Sequence, residues 1–275
     1  MRSTVRQVFS QENIEYTAAI PYEACRVVRP YLVERLGFAP RTAILFLVPY
    51  YAGQAENLSC YAAARDYHLY MRNLFARICP TLSQASGYSF AGFADHSPID
   101  ERHAATIAGL GMRGENGLLI HPRYGSFVFI GELLTDAPPA LLGGQEPIAP
   151  APCCGCGACH TACPSGFLRG EGEGCLSAIT QKKGELTERE QQLVLTGGSV
   201  WGCDVCQAVC PHNAIAMREE SYTPIPFFRQ DRITRLTEEA LAAMPEEAFA
   251  LRAFSFRGRA PLARNLQLFS TYSRK

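Results

Sequence analysis

Neither sign of charge is in surplus in this chain: 26 basic residues stand against 26 acidic ones, and the isoelectric point is near 7.0. That balance argues against a uniformly basic nucleic-acid binder, although a local basic patch stays open. Charged side chains are scarce, 19% of 275 residues, and 47% are hydrophobic. Such a chain can bury the core of one large domain or two modest ones. Long apolar runs are lacking too. The most apolar stretch, "AILFLVPYYAG", falls well short of a membrane span and contains Pro49, so it reads as a buried strand and its exit. The opening "MRSTVRQVFSQENIEY" has neither an apolar h-region nor twin arginines. The expectation is therefore a cytoplasmic protein with no membrane partner. No repeat recurs at a solenoid period.

Cysteine breaks the pattern of scarcity, with twelve residues. In an unexported chain these are expected to be reduced, which ranks metal binding above disulfides. Their distribution divides the sequence. Three are scattered at Cys25, Cys60 and Cys79, and nine fall between Cys153 and Cys210. The stretch "DAPPALLGGQEPIAPAP" separates the two regions and reads as a linker. The predicted organisation is an α/β domain over 1–135, a linker over 136–152, a double-cluster domain over 153–220, and a tail with short helices over 221–275.

In the first region, "IEYTAAIPY", "TAILFLVPYY" and "GYSFAGFAD" read as strands, and "EACRVVRPYLVERLG" as a helix closing on Gly37. "CYAAARDYHLYMRNLFARIC" reads as a strong helix with Tyr67, Tyr70, Leu74 and Ile78 on one face. In "SPIDERHAATIAGLG", Ser97 suits an N-cap, Pro98 the first helical position, and Gly109 a stop. "GLLIHPRYGSFVFIGELLTD" reads as a hairpin turning at Pro122 to Gly125. Interleaved strands and helices ending in a hairpin predict a three-layer α/β domain with a sheet of mixed strand direction.

The spacing Cys153-x-x-Cys156-x-x-Cys159-x-x-x-Cys163-Pro164 is that of two-cluster [4Fe–4S] ferredoxins. Three thiolates at two-residue gaps wrap one cubane, and the fourth, after a longer gap, reaches a second. Downstream, Cys203-x-x-Cys206-x-x-x-Cys210-Pro211 supplies three more, and Cys175 between the sets makes eight. By the crossing rule, one cluster takes Cys153, Cys156, Cys159 and Cys210, and the other Cys163, Cys175, Cys203 and Cys206. Zinc ribbons and disulfides are the alternatives. Paired zinc knuckles do not explain the Cys-Pro ending of both sets. Cys154 is an extra thiol outside the spacing, and Cys25, Cys60 and Cys79 read as small buried hydrophobes.

In their order, "YAAARDYH", "FADHSPIDERHAATIAGLG", "LLIHPRYGSFVFIGELLTD" and "GCDVCQAVCP" resemble epoxyqueuosine reductases, from about residue 40 to 215 and more weakly to "RGRAPLARN". The resemblance implies a nitroreductase-like α/β domain holding base-off cobalamin and a two-cluster ferredoxin-like domain that reduces its cobalt. It also implies reductive removal of an epoxide oxygen from a modified tRNA base, fed by a low-potential donor such as ferredoxin or flavodoxin. By the same resemblance, Asp95 is the proton donor, its pKa expected to be raised by burial, and Arg102 an active-site arginine. The bland alternatives are that Asp95 caps a helix and that Arg102 lies on a helix surface. Leu119 and Ile130 match positions lining the corrin, and Ser177, Asp204 and Val205 match its other face. His68, in an incomplete Asp-x-His motif with Met71 where Gly should stand, reads as a packed or corrin-edge histidine.

The family's G-L-G-W-I-G-K-N is here "GLGMRGEN", with Met112 for Trp and Glu115 for Lys. The family's helical-repeat domain is not found before Lys275, so tRNA is an uncertain partner. Residues 252–275 carry Arg252, Arg257, Arg259, Arg264, Arg274 and Lys275 with no acid, which reads as a phosphate-touching patch or a solvated tail. Two alternatives stay open: a related cobalamin reductase for a small molecule, and a two-cluster electron carrier without catalysis.

Overall fold

The computed structural model describes residues 1–172 and 174–272. They form two compact units: residues 1–50 with 68–155, and residues 51–67 with 156–275. Among the described residues no helix is long and apolar enough to cross a membrane.

The first unit is built on a four-stranded sheet ordered β1 (Thr17–Pro21), β2 (Thr42–Pro49), β6 (Val128–Thr135), β3 (Phe90–Phe93). A two-stranded ribbon pairs β4 (Met112–Arg113) with β5 (Leu119–Ile120). Every residue of β2 is buried, because both of its faces are covered. Ala43, Leu45 and Leu47 face a cluster with Ala104, Ala105 and Ile107 of the helix Glu101–Ile107. On the alternate face, Phe46 meets Phe9 at 4.8 Å between ring centroids and Phe75 at 6.2 Å. These rings come from the helices Arg2–Gln11 and Tyr67–Ser86. Period-two alternation in β2 thus yields the predicted three layers.

Mixed strand direction is not found: all three pairings of the main sheet are antiparallel. β2 and β3 do run the same way and are joined through a helical crossover, as the alternation predicts. β6 inserts between them, from Thr42↔Thr135 to Pro49↔Val128 on one side and Phe90↔Thr135 on the other. Two would-be parallel neighbours become antiparallel partners of a third strand. The expected hairpin is also different. His121 and Gly125 exchange backbone hydrogen bonds of 2.8 Å, but β5 pairs backwards with β4 while β6 enters the main sheet.

Two helix expectations change. The stretch after β1 has a 3-10 turn at Tyr22–Ala24 and is α-helical only at Pro30–Glu34, because Pro30 starts a helix readily and cannot continue one. The long helix breaks into Cys60–Ala63 and Tyr67–Ser86 at an extended Ala64, with Tyr70, Leu74 and Ile78 buried. The presumed linker is part of the first unit. Gln145 N–H donates to Ala19 O at 2.9 Å, Ile148 N–H to Ile107 O at 2.9 Å, and Arg113 N–H to Ala151 O at 2.9 Å.

The C-terminal residues are not a tail but core of the second unit. Trp201 and Phe254 are fully buried, with Leu262 and Leu266 from the helix Ala260–Tyr272 beside them. Asn265, also fully buried, donates to Thr180 O and Val200 O at 2.8 Å each, and Trp201 donates to Tyr61 Oη at 2.9 Å.

Candidate active site and cluster domain

In the first unit, Asp95 follows β3 in a left-handed conformation, φ 63°, and its side chain is 66% exposed. His68 Nε2, near the start of the helix Tyr67–Ser86, lies 3.5 Å from Asp95 Oδ2. That contact holds the Asp95 carboxyl below the ordinary range, although burial opposes it. In this structure a basic ring, His68, faces the acid and favours its charged form. Ser97 does not cap the next helix. Asp100 does, accepting from His103 N–H at 3.1 Å. Ser97 Oγ instead donates to Glu132 Oε1 and accepts from Ile99 N–H at 3.0 Å.

Sequence reasoning missed two carboxyls here. Glu132 on β6 is fully buried, and burial pushes its carboxyl well above the carboxylate range. Glu101, the first residue of its helix, accepts from Asp95 N–H at 3.0 Å, and burial raises it to about 7. A signal for Glu132 was readable, since "VFIGELLT" places one acid on an apolar strand face. Arg102 is exposed and donates to Gly117 O at 3.1 Å, tying the helix to the β4–β5 turn. Leu119 and Ile130 are core residues, 4% and 8% exposed, packed with Ala104 and Leu110.

The cysteine row begins where the first unit ends, with Cys153 N–H donating to Arg113 O at 3.1 Å. In the second unit, Gly157 takes φ 71° to start the helix Ala158–Ala162, a backbone shape that a side chain would strain. Burial raises the Cys163 thiol, but N–H groups of Leu168, Ser165 and Phe167 and the Ser165 hydroxyl together hold it below its ordinary value. Amides aimed at a sulfur favour the thiolate, which is the form that binds iron. Cys175 precedes the helix Leu176–Thr180 at its N-cap position, with no side-chain hydrogen bond to the helix end. Burial first, then the charges of Cys175, Asp204 and Cys163, push Cys203 up to about 11. Burial first, then Cys203, Cys175, Asp204 and Cys159, push Cys206 up to about 12. Thiols gathered this closely repel one another as anions. A cationic cluster removes that penalty, so the donor set fits iron–sulfur ligation.

Asp204, between two of these cysteines, is engaged internally: it accepts from Ser59 Oγ, from Cys60 N–H at 2.6 Å and from Gln207 Nε2 at 3.2 Å. Val205 opens the short helix Val205–Ala208. Ser177 Oγ accepts from Gln181 Nε2 at 3.2 Å. Cys60 is buried and its thiol raised, first by burial and then by Asp204, while burial lifts Cys25 to about 12 and Cys79 to about 11. None of the three has the character of a ready thiolate.

Residues 152–213 match the family described as 4Fe-4S double cluster binding domain, a span that contains all eight cysteines at ligand spacing. Over 210 residues the chain is 35% identical to an epoxyqueuosine reductase of Listeria monocytogenes, a match covering 73% of this chain and 53% of that protein. The epoxyqueuosine reductases are its relatives. The chain spans about half the length of these curated relatives. The structure of epoxyqueuosine reductase from Streptococcus thermophilus has the same fold: TM-score 0.74 at 22% identity, covering 100% of this chain and 82% of that one. An epoxyqueuosine reductase solved with an epoxyqueuosine-modified tRNA stem loop superposes equally well, TM-score 0.74 at 20% identity, over 97% of this chain and 80% of that one.

Proposed function

We propose that this chain is an iron–sulfur reductase of the epoxyqueuosine type, acting with cobalamin to remove the epoxide oxygen of a modified tRNA base. The similarity to relatives of that name, over 73% of this chain, carries the reading. Removal of an epoxide oxygen takes two electrons and two protons and leaves an alkene and water. The two clusters would be held as their spacing suggests, Cys153, Cys156, Cys159 and Cys210 for one and Cys163, Cys175, Cys203 and Cys206 for the other. Cys175, close enough to perturb both Cys203 and Cys206, fits the second set. A low-potential carrier such as ferredoxin or flavodoxin would load them.

Cobalamin, when bound, supplies a low-valent metal centre that a protein side chain cannot. The incomplete Asp-x-His motif, with Met71 where Gly should stand, supports base-off binding without a histidine ligand. Leu119 and Ile130, enclosed in the core of the first unit, offer it no surface, and Ser177 and Val205 of the second unit are the residues proposed to line it. Asp204 contributes more by pinning Ser59 and Cys60 to the cluster loop.

Asp95 is the proposed proton donor to the departing oxygen, and Arg102 is proposed as an active-site arginine on the following helix, its guanidinium tied to Gly117 O. The Asp95 carboxyl lies below the ordinary range and is ionised at neutral pH, so it must take up a proton before giving one. His68, 3.5 Å away, is placed to pass that proton on. The test is Asp95→Asn in anaerobically reconstituted protein given epoxyqueuosine-bearing tRNA. Turnover should fall at least a hundredfold, in the range of lost general-acid catalysis, with both clusters and cobalamin retained. Normal turnover would remove Asp95 from the mechanism.

A second reading, reduction of a small molecule, has one observation in its favour. Three arginines of the basic segment are taken up internally. Arg252 donates to Asp231 O, Arg259 to Leu241 O at 2.6 Å and Met244 O at 2.7 Å, and Arg264 to Lys182 O at 2.7 Å and to Gly184 O. They form no free phosphate-binding row. Arg274 and Lys275 lie outside the described residues. Competition of unmodified tRNA with turnover separates the two readings.

A further inference from the structure

The segment from β3 to the helix Glu101–Ile107 is fastened unevenly. Its second half is stitched to residues 26–29: Arg29 Nη1 donates to Ser97 O at 2.8 Å, Val28 N–H to Pro98 O at 2.8 Å, and Asp100 N–H to Arg26 O at 2.9 Å. Ile99 is buried behind these bonds. The first half turns sharply, with His96 N–H donating to Ala94 O at 2.7 Å and Asp95 in the left-handed region at φ 63°. A residue with a side chain is disfavoured there and holds the shape only when its surroundings impose it. Tyr31 Oη lies 2.9 Å from His96 Nε2 and tethers the neighbouring residue, but the bond to the Asp95 backbone itself comes from Glu101, whose Oε2 accepts from Asp95 N–H at 3.0 Å across six positions of sequence.

We infer that Glu101 is a positioning residue: its side-chain oxygen latches the Asp95 turn and so presents the Asp95 carboxyl to His68 and to substrate. The inference rests on the reading of Asp95 as the acid. The bland alternative is that Glu101 merely complements the positive end of its own helix. Geometry separates the two. The acceptor reaches back to Asp95, while the helix end is already capped by Asp100. The charges facing Glu101 are those of Asp95, Arg102 and Asp100, with Glu132 from β6.

Glu101→Gln and Glu101→Ala both remove the charge, but only the first keeps an oxygen where the latch needs one. Comparing them in the reconstituted holoprotein therefore isolates the hydrogen bond. Hydrogen exchange read by mass spectrometry over the peptide containing Asp95 should stay slow in E101Q and quicken about tenfold in E101A, with the peptide over 101–107 unchanged. With epoxyqueuosine tRNA, E101A should lose about tenfold in kcat at unchanged KM, and E101Q should restore most of it. If E101A does not fold, Glu101→Asp, one methylene too short, replaces it. Equal loss of turnover in E101Q and E101A would overturn the latch, as a charge or proton role requires. So would exchange at Asp95 that is the same in wild type and E101A. If the wild-type chain reduces no such tRNA, the functional reading fails, and the exchange comparison still decides the latch.

Discussion

Glu132 is a carboxyl set among Leu45, Ile130 and Leu134 with one described hydrogen-bond partner, Ser97. In the unfolded chain such a group ionises near 4.3. In the fold, burial keeps it protonated to much higher pH. Between those two values the folded state binds more protons than the unfolded one, so stability falls as pH rises. Glu132→Gln has no proton to lose and keeps an oxygen for Ser97. It should be more stable than wild type by about 1 kcal/mol or more at pH 8, with the gap closing towards acid pH. Thermal unfolding of both proteins between pH 6 and 8 checks this, and parallel curves would show that Glu132 does not titrate between folded and unfolded states. The acid was visible in the sequence as a misfit on an apolar strand. Its partner was not, because Ser97 was equally good as a helix cap.

At the scale of elements, β2 and β6 are held in register by a ring laid across a bare backbone. An added Cβ on Gly131 would come 2.2 Å from the Phe46 ring, and Phe9 and Phe75 back that ring on its far sides. Glycine here serves close approach rather than a turn. Gly131→Ala should destabilise the chain by about 1–3 kcal/mol, as other overpacked cores do. A melting temperature within a degree of wild type would show that Phe46 can move aside. Phe46 was legible as a core residue from the unbroken apolar run of β2. Its crossing of Gly131 was not, since pairing between residues 79 or more positions apart leaves no local trace.

Across the whole molecule, the segment that looked like an appendage completes the second unit. Removing residues 252–275 takes out Phe254, Leu262 and Leu266. Each buried apolar side chain of this size contributes about 1.5–3 kcal/mol, so together they rival the 5–15 kcal/mol that holds a domain together. The truncated chain should lose cooperative unfolding and retain far less than its full iron, whatever its substrate. Full iron content in that variant would return these residues to the status of a tail. Loss of tRNA reduction on truncation would therefore say nothing about phosphate contacts. Arg257, exposed beside Phe256, is the better probe of those.

Features that depend on spacing along the chain could be read directly from the residues. The eight cysteines and their Cys-Pro endings, the unbroken apolar run of β2 and the apolar face of Tyr70, Leu74 and Ile78 are all local patterns, set by strand and helix periods and by thiolate geometry. Features that depend on distant partners came from the fold. It inserted β6 between β2 and β3, gave Asp95 a histidine neighbour that lowers its pKa, gave Asp204 to Ser59 and Cys60, and took Arg252, Arg259 and Arg264 out of the basic segment for backbone carbonyls. A charge or a carboxyl has no fixed role until its nearest partner is known. That partner is chosen by packing, because a buried polar group must find one wherever the fold supplies it.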